Sequence, residues 1–299
     1  MTLYNRSDSN RKKTWFLLSL FFILVILIGY FFSWYFGEPL ILYLAVFFSI
    51  FSSFFSYWFS HKIVLSMSGA SELKIEDNKE LYRLVENLCI STGLPVPKIY
   101  IISDPSPNAF ATGRNPEKAV IAVTTGLLAK LDRSELEGVI AHELAHIKNR
   151  DILLSTLVTV LLGMVVLLAD WFRRWAFYSR GGDNDNKGQL GVISLILALV
   201  FSILAPIFAT LMQLAISRKR EFLADADGAL MTRYPEGLAR ALEKISADPY
   251  DLARPNRATA HLYISSPLKE KTTKPSLWAR AFMTHPPVSE RVKALRDMS

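Results

Sequence analysis

Asp132-Arg-Ser-Glu-Leu-Glu-Gly-Val-Ile-Ala-His-Glu-Leu-Ala-His-Ile-Lys-Asn149 is the segment from which the rest of this chain is best read. Asp132 is a helix N-cap type, and Glu135 three residues on completes a capping box, so a helix opens here and runs through Asn149. His142 and His146 then stand at i and i+4, on one helical face, a spacing at which two imidazoles grip a single zinc ion. Glu143 sits beside the first histidine, close enough to act on a water at the metal without ligating it. In a random ordering of this composition such a motif is expected on the order of a few thousandths of a time. A helix that merely carries two solvated or core histidines is the weaker reading.

Two histidines leave zinc in need of a third protein ligand and one open position. Ser217-Arg-Lys-Arg-Glu-Phe-Leu-Ala-Asp225 offers a candidate, with Glu221 and Asp225 again four apart on one face. A ligating carboxylate with a second carboxylate bonded to a ligand histidine accounts for the pair. A solvated acidic face balancing Arg218–Arg220 accounts for it equally well.

Around these segments the chain is strongly apolar. Its 299 residues are 51% hydrophobic and only 20% charged, which excludes intrinsic disorder. Four runs carry no charge: Thr14–Gly37 (24 residues), Pro39–Ser60 (22), Ile152–Ala169 (18) and Gly188–Ser217 (30). A helix needs about 20 such residues to cross a bilayer core, so this reads as an integral membrane protein. The first run is too long for a signal peptide and turns at Gly37-Glu38-Pro39 straight into the second, which makes it a retained anchor. The net charge of +7 comes from basic residues flanking the apolar runs, without a basic stripe interleaved with aromatics, so no nucleic-acid partner is expected. A single cysteine, Cys89, excludes an internal disulfide framework.

Arg6, Arg11, Lys12 and Lys13 precede the first run and only Glu38 marks the link to the second, which places both termini and the soluble segments in the cytoplasm. The organisation is then a transmembrane hairpin in 1–60 (14–37 and 39–60), a soluble half in 61–151, a second apolar hairpin in 152–217 (152–169 and 188–217) and a second soluble half in 218–299. The second hairpin reads as crossing, although its tip carries Arg173, Arg174, Arg180 and Lys187, against the charge rule that orients the first. Within the first soluble half, Glu80–Ile90 has helical periodicity, while Lys98–Ser103 and Ala119–Thr124 read as strands joined by a loop punctuated with Pro105, Pro107, Gly113 and Pro116. Helices are expected near 218–232, 235–247 and 287–298.

Several ordered segments together resemble one family: Gly138–Asp151, Ser106-Pro-Asn-Ala-Phe-Ala-Thr-Gly-Arg-Asn115, Ser217–Asp225, Ala258-Thr-Ala-His-Leu-Tyr-Ile264, and Thr284-His-Pro-Pro287 before Glu290-Arg291. They are similar to the HtpX family of membrane-bound zinc peptidases. The resemblance implies a mainly α integral membrane protein with a small β-sheet, its zincin-like metalloprotease domain split by a membrane hairpin. It implies a zinc endopeptidase of the cell membrane, one zinc per chain, that cleaves misfolded membrane proteins and peptides and contacts the lipid bilayer. It makes Glu221 the third ligand beside His142 and His146, and Asp225 the support of a ligand histidine. His285 becomes a candidate donor to the oxyanion, and Asn108, Ala109 and Phe110 part of a sheet edge that binds substrate as an added strand. Glu143 would be the general base. A zinc-stabilised chaperone or scaffold would need the ligands without Glu143, and a prenyl-protein processing protease would share the motif but resembles a larger barrel of seven spans.

Overall fold

The structure, a computed structural model, describes residues 3–161, 163–164, 218–250, 252, 259–265 and 286–298. Helices α1 (Leu3–Phe36) and α2 (Pro39–Met67) form a hairpin whose turn uses Gly37 at φ +70° and Pro39 at the first helical position. The two helices pack through small residues: a Cβ on Gly29 would lie 2.2 Å from that of Ala45, and Ser49, Ser52, Ser56 and Ser60 are buried along one side of α2. Trp15, Phe16, Leu27, Phe47 and Phe54 face outward. In their most apolar stretches α1 and α2 bury only 22% and 17% of their residues. A core helix of a soluble protein would be mostly buried, so this outward apolar surface is what lipid would cover.

After α2 the chain builds a four-stranded sheet from β1 (Ala70–Glu72), β2 (Lys98–Ile102), β3 (Ala109–Thr112) and β4 (Val120–Thr124), with α3 (Lys79–Thr92) between the first two. The order across the sheet is β1-β2-β4-β3, with only the β2–β4 pair parallel. Strands β2 and β4 and helix α3 fall where periodicity places them, and Gly93 closes α3 at φ +70°. The loop expected around Asn108–Gly113 instead contains β3. The four residues Ala109–Thr112 carry too short a pattern to be read as a strand; pairing with β4 makes them one.

Strand β4 is buried throughout because the sheet is covered on both sides. Ile121 and Val123 point to a core with α3 and α5, whereas Val120 and Ala122 meet Phe110, Tyr263 and the end of α2 at Val64 and Leu65. The sheet therefore joins the apolar hairpin of α1 and α2 to the helices that follow. Helix α4 (Thr125–Lys130) leads into α5 (Arg133–Lys148), which opens on the expected capping box: Glu135 N–H donates to Asp132 (3.0 Å) and Asp132 N–H to the Glu135 carboxylate (2.9 Å). Arg150, at φ +56°, turns the chain into α6 (Asp151–Leu161), the start of the third apolar run. The rest of the second hairpin, and with it the question of its crossing, lies outside the described residues.

Helices α7 (Arg218–Thr232), α8 (Pro235–Ala247) and α9 (Val288–Arg296) complete the fold, close to their expected ranges. Both α7 and α8 pack directly on α5. Where α8 crosses α5, a Cβ on Gly138 would lie 2.7 Å from the Leu238 amide nitrogen, closer than backbone can tolerate. Gly138→Ala is therefore expected to push the two helices apart and cost about 2 kcal/mol, lowering the Tm of the detergent-purified chain by several degrees. An unchanged Tm would show that the crossing relaxes freely.

Candidate active site

Helix α5 presents His142 and His146 side by side, their Nε2 atoms 3.2 Å apart. Helix α7 reaches the same place because its backbone can lie against that of α5: a Cβ on Gly228 would come within 3.0 Å of the His142 amide nitrogen. Two turns earlier on α7, Glu221 places one oxygen 3.9 Å from His142 Nε2 and the other 3.6 Å from His146 Nε2. One donor atom from each of the three residues lies within 4.8 Å of the others. Donors around a tetrahedral ion at 2.0–2.1 Å sit about 3.4 Å apart, so this set fits a metal once the Glu221 carboxylate closes on the two rings. The donor chemistry, two imidazole nitrogens and a carboxylate with a fourth position left open, suits a metal that handles water.

Asp225, one turn after Glu221, approaches the other side of the first ring, with Oδ1 2.9 Å from His142 Nδ1. Arg291 from α9 clamps this carboxylate with two bonds, Nε to Oδ2 at 2.8 Å and Nη2 to Oδ1 at 2.7 Å. Arg291 also donates to the Ile264 carbonyl (2.9 Å) and is only 1% exposed. Burial alone would raise the Asp225 carboxyl; Arg291 and His142 overcome it and hold it down at about 2. His142, for its part, is lowered by burial against the pull of Asp225. At the second ring, Asp151 at the start of α6 sits with Oδ2 3.3 Å from His146 Nδ1. Burial disfavours a charged His146, yet Asp151 and Glu221 raise it to about 9.

Glu143 lines the same cleft beside the three donors, and the Ala111 amide of β3 bonds to its carboxyl. Burial, aided by the Glu221 charge, pushes its carboxyl up to about 7 against the pull of His146 and that amide. A carboxyl poised there can take and return a proton near neutral pH. A cavity of about 30 Å³, room for a water or two, lies among His142, Glu143, His146, Glu221, Ala111 and the segment His261–Ile264.

That segment runs along the outer edge of β3. Ile264 N–H donates to the Ala109 carbonyl (3.0 Å), and Asn108 Nδ2 donates to the Ser265 carbonyl (3.0 Å). Phe110 is buried, edge-on to Tyr263 with ring centres 5.0 Å apart. The three residues expected at a substrate edge thus hold one wall of the cleft. His261, which sequence alone leaves without a role, lines the cavity with Nε2 3.1 Å from Thr159 Oγ1. His285 lies outside the described residues. Asp151 and Arg291 receive no role from sequence reading: Asp151 looks like the polar edge of an apolar run, and Arg291 like one basic residue among several in a surface helix.

Because Arg291 neutralises a fully buried carboxylate, Arg291→Met is expected to cost about 3–5 kcal/mol, and Arg291→Met/Asp225→Asn to recover part of it. Thermal unfolding of the two variants reads this out, and a double variant as unstable as the single would reject the pair as the source. The carboxyl of Asp225 is depressed, so its contribution is full above pH 4 or so and fades as pH falls toward 2.

Residues 76–299 match the profile of Peptidase family M48. The chain is 46% identical over 301 residues to a Protease HtpX homolog of Dictyoglomus thermophilum, covering 99% of this chain and 95% of the relative. A Protease HtpX homolog of Tropheryma whipplei is 48% identical over 239 residues, 80% of this chain and 79% of the relative. Among solved structures, the crystal structure of S. mikatae Ste24p superposes with a TM-score of 0.50 at 19% identity, over 98% of this chain and 67% of that one, a likeness of fold. With a metal-fitting His-His-Glu cluster, two apolar anchor helices and full-length relatives at this level of identity, the chain belongs to peptidase family M48, among its HtpX-type membrane-anchored metalloproteases.

Proposed function

We propose that this metalloprotease is a zinc endopeptidase acting on misfolded membrane proteins and peptides, with one zinc per chain held by His142, His146 and Glu221. The observation that carries the reading is the convergence of two helices remote in sequence on one donor set, with a buried carboxylate beside it that is not part of the set. Bound there, zinc would supply Lewis acidity, bringing the pKa of water from 15.7 to about 7 and polarising a carbonyl.

Everything else falls to the chain's own residues. Glu143 takes the proton of the attacking water and passes it to the leaving amine, its carboxyl held toward the cleft by the Ala111 amide. Asp225 orients His142 and keeps its Nε2 available, since the opposite nitrogen faces a fixed anion. The substrate enters the cleft beside β3, and because Ile264 already pairs with Ala109 on that edge, Asn108, Ala109 and Phe110 act by fixing the wall against which it is read. His285 is the candidate donor to the developing oxyanion. The hairpin of α1 and α2 spans the cell membrane with the N-terminus and the catalytic residues on the cytoplasmic side, and the second apolar hairpin makes the chain multi-pass.

Glu143→Gln is expected to retain zinc and lower hydrolysis of an unfolded protein by about 10²–10⁴-fold. Activity within about tenfold of the parent would reject Glu143 as the base, and full zinc with no cleavage by either form would favour the scaffold reading. The raised His146 yields a second test. A protonated ring cannot ligate, so binding displaces its proton, and apparent zinc affinity in chelator competition should climb about tenfold per unit from pH 7 to 9. A flat profile would show that His146 is already neutral.

A further inference from the structure

The two ring systems of the donor set are supported in different ways. Behind His142 stands Asp225, brought by α7 and clamped by a buried arginine. Behind His146 stands Asp151, 4% exposed, which reaches the ring because Arg150 turns the chain sharply between α5 and α6. Asp151 is also held from outside α5. Its second oxygen, Oδ1, accepts a 2.7 Å hydrogen bond from Asn10 Nδ2, and Asn10 also reaches the Asn149 carbonyl at 3.4 Å. Arg220 stands farther off, with Nη1 3.8 Å from the same oxygen.

Asn10 belongs to α1, the first apolar helix, more than 130 residues away in sequence. It is buried, as are Thr14, Leu17, Leu18 and Phe21, which share its helical stripe, while Trp15 and Phe16 between them are exposed. The Thr14 hydroxyl donates to the Asn10 carbonyl. An amide donor at this position has a specific merit. It fixes the rotation of the Asp151 carboxylate, so that Oδ2 stays on His146 Nδ1, while adding no positive charge to that of Arg220 nearby, so the carboxylate still makes the imidazole a better ligand. A lysine or arginine there would bind the carboxylate more strongly and weaken its hold on the ring.

We propose that Asn10 is a positioning residue for the metal site, so that the first membrane helix takes part in orienting His146 through Asp151. The inference rests on the reading of His142, His146 and Glu221 as the ligands. It also makes α1 more than a tether: the catalytic centre is complete only when this helix is docked.

The test is zinc affinity by chelator competition on the full-length chain in detergent, with the visible absorption of the Co²⁺-loaded protein as a signature of ligand geometry. Asp151→Asn is expected to weaken zinc by about 10–100-fold and Asn10→Ala by about tenfold, both altering the cobalt bands. Asn10→Ala/Asp151→Asn should bind no more weakly than Asp151→Asn alone, because both act through one carboxylate. Leu17→Ala, on the same buried stripe two turns on, should keep the parent's affinity and spectrum. If Asn10→Ala does not accumulate, Asn10→Asp sets an anion of equal size against Asp151 and should weaken zinc at least as much. The inference is overturned if Asn10→Ala (or its substitute) binds zinc within about twofold of the parent, if the two effects add, or if Leu17→Ala weakens zinc equally. His146→Ala binding as tightly as the parent would instead overturn the ligand assignment, and this inference with it.

Discussion

The approach of α7 to α5 at Gly228 sets the terms for everything around it. Two imidazoles from successive turns of one helix can share an ion, but the third donor must come from elsewhere and arrive close to both. A side chain at Gly228 would meet the backbone of His142 itself. With only a hydrogen there, α7 lies close enough for Glu221 to reach both Nε2 atoms and for Asp225 to reach the far side of the first ring. The same helix thus provides a donor and a support, one turn apart, from a single docking geometry.

Such a site concentrates charge where water is scarce, and the surrounding structure is arranged to satisfy it. Asp225 and Arg291 are each 1% exposed and bind each other through two hydrogen bonds, so neither is left as an uncompensated ion. Arg291 also takes the Ile264 carbonyl, which ties α9 to the wall of the cleft. Among the described residues Glu143 forms no ion pair, and its burial raises it into the range where proton exchange is easy. Neighbouring carboxylates are thus pushed in opposite directions: Asp225 is held low beside Arg291 and His142, while burial raises Glu143.

Membrane and catalytic parts are not separable in this fold. The second face of the sheet is closed by the end of α2, and β4 is buried only because both faces are covered. Arg114, just beyond β3, stacks its guanidinium 4.0 Å from the ring centre of Trp58 on α2, and Asn10 on α1 bonds to Asp151. Losing the hairpin would therefore uncover a face of the sheet that carries the cleft wall.

Local signals in the sequence are sufficient for most of the elements and for locating the candidate donors. The His-Glu-Leu-Ala-His spacing, the Asp132–Glu135 capping box, the period of α3 and the charge-free length of α1 and α2 are each written within a few turns of chain, because helix geometry is repetitive and short-range. The pairing of Glu221 with Asp225 is visible too, though the residues alone leave it divided between a ligand site and a solvated face; the docking of α7 on α5 brings both carboxylates to the histidines. Tertiary structure alone decided the rest: that Asn108–Thr112 leads into an edge strand, that residues 261–264 wall the cavity, that Arg291 holds Asp225, and that Asn10 reaches Asp151. Each of these depends on contacts between residues tens to hundreds of positions apart. A short polar or basic residue looks the same in sequence whether it meets solvent or a buried partner, and only the docking of α1, α7 and α9 around α5 settles which.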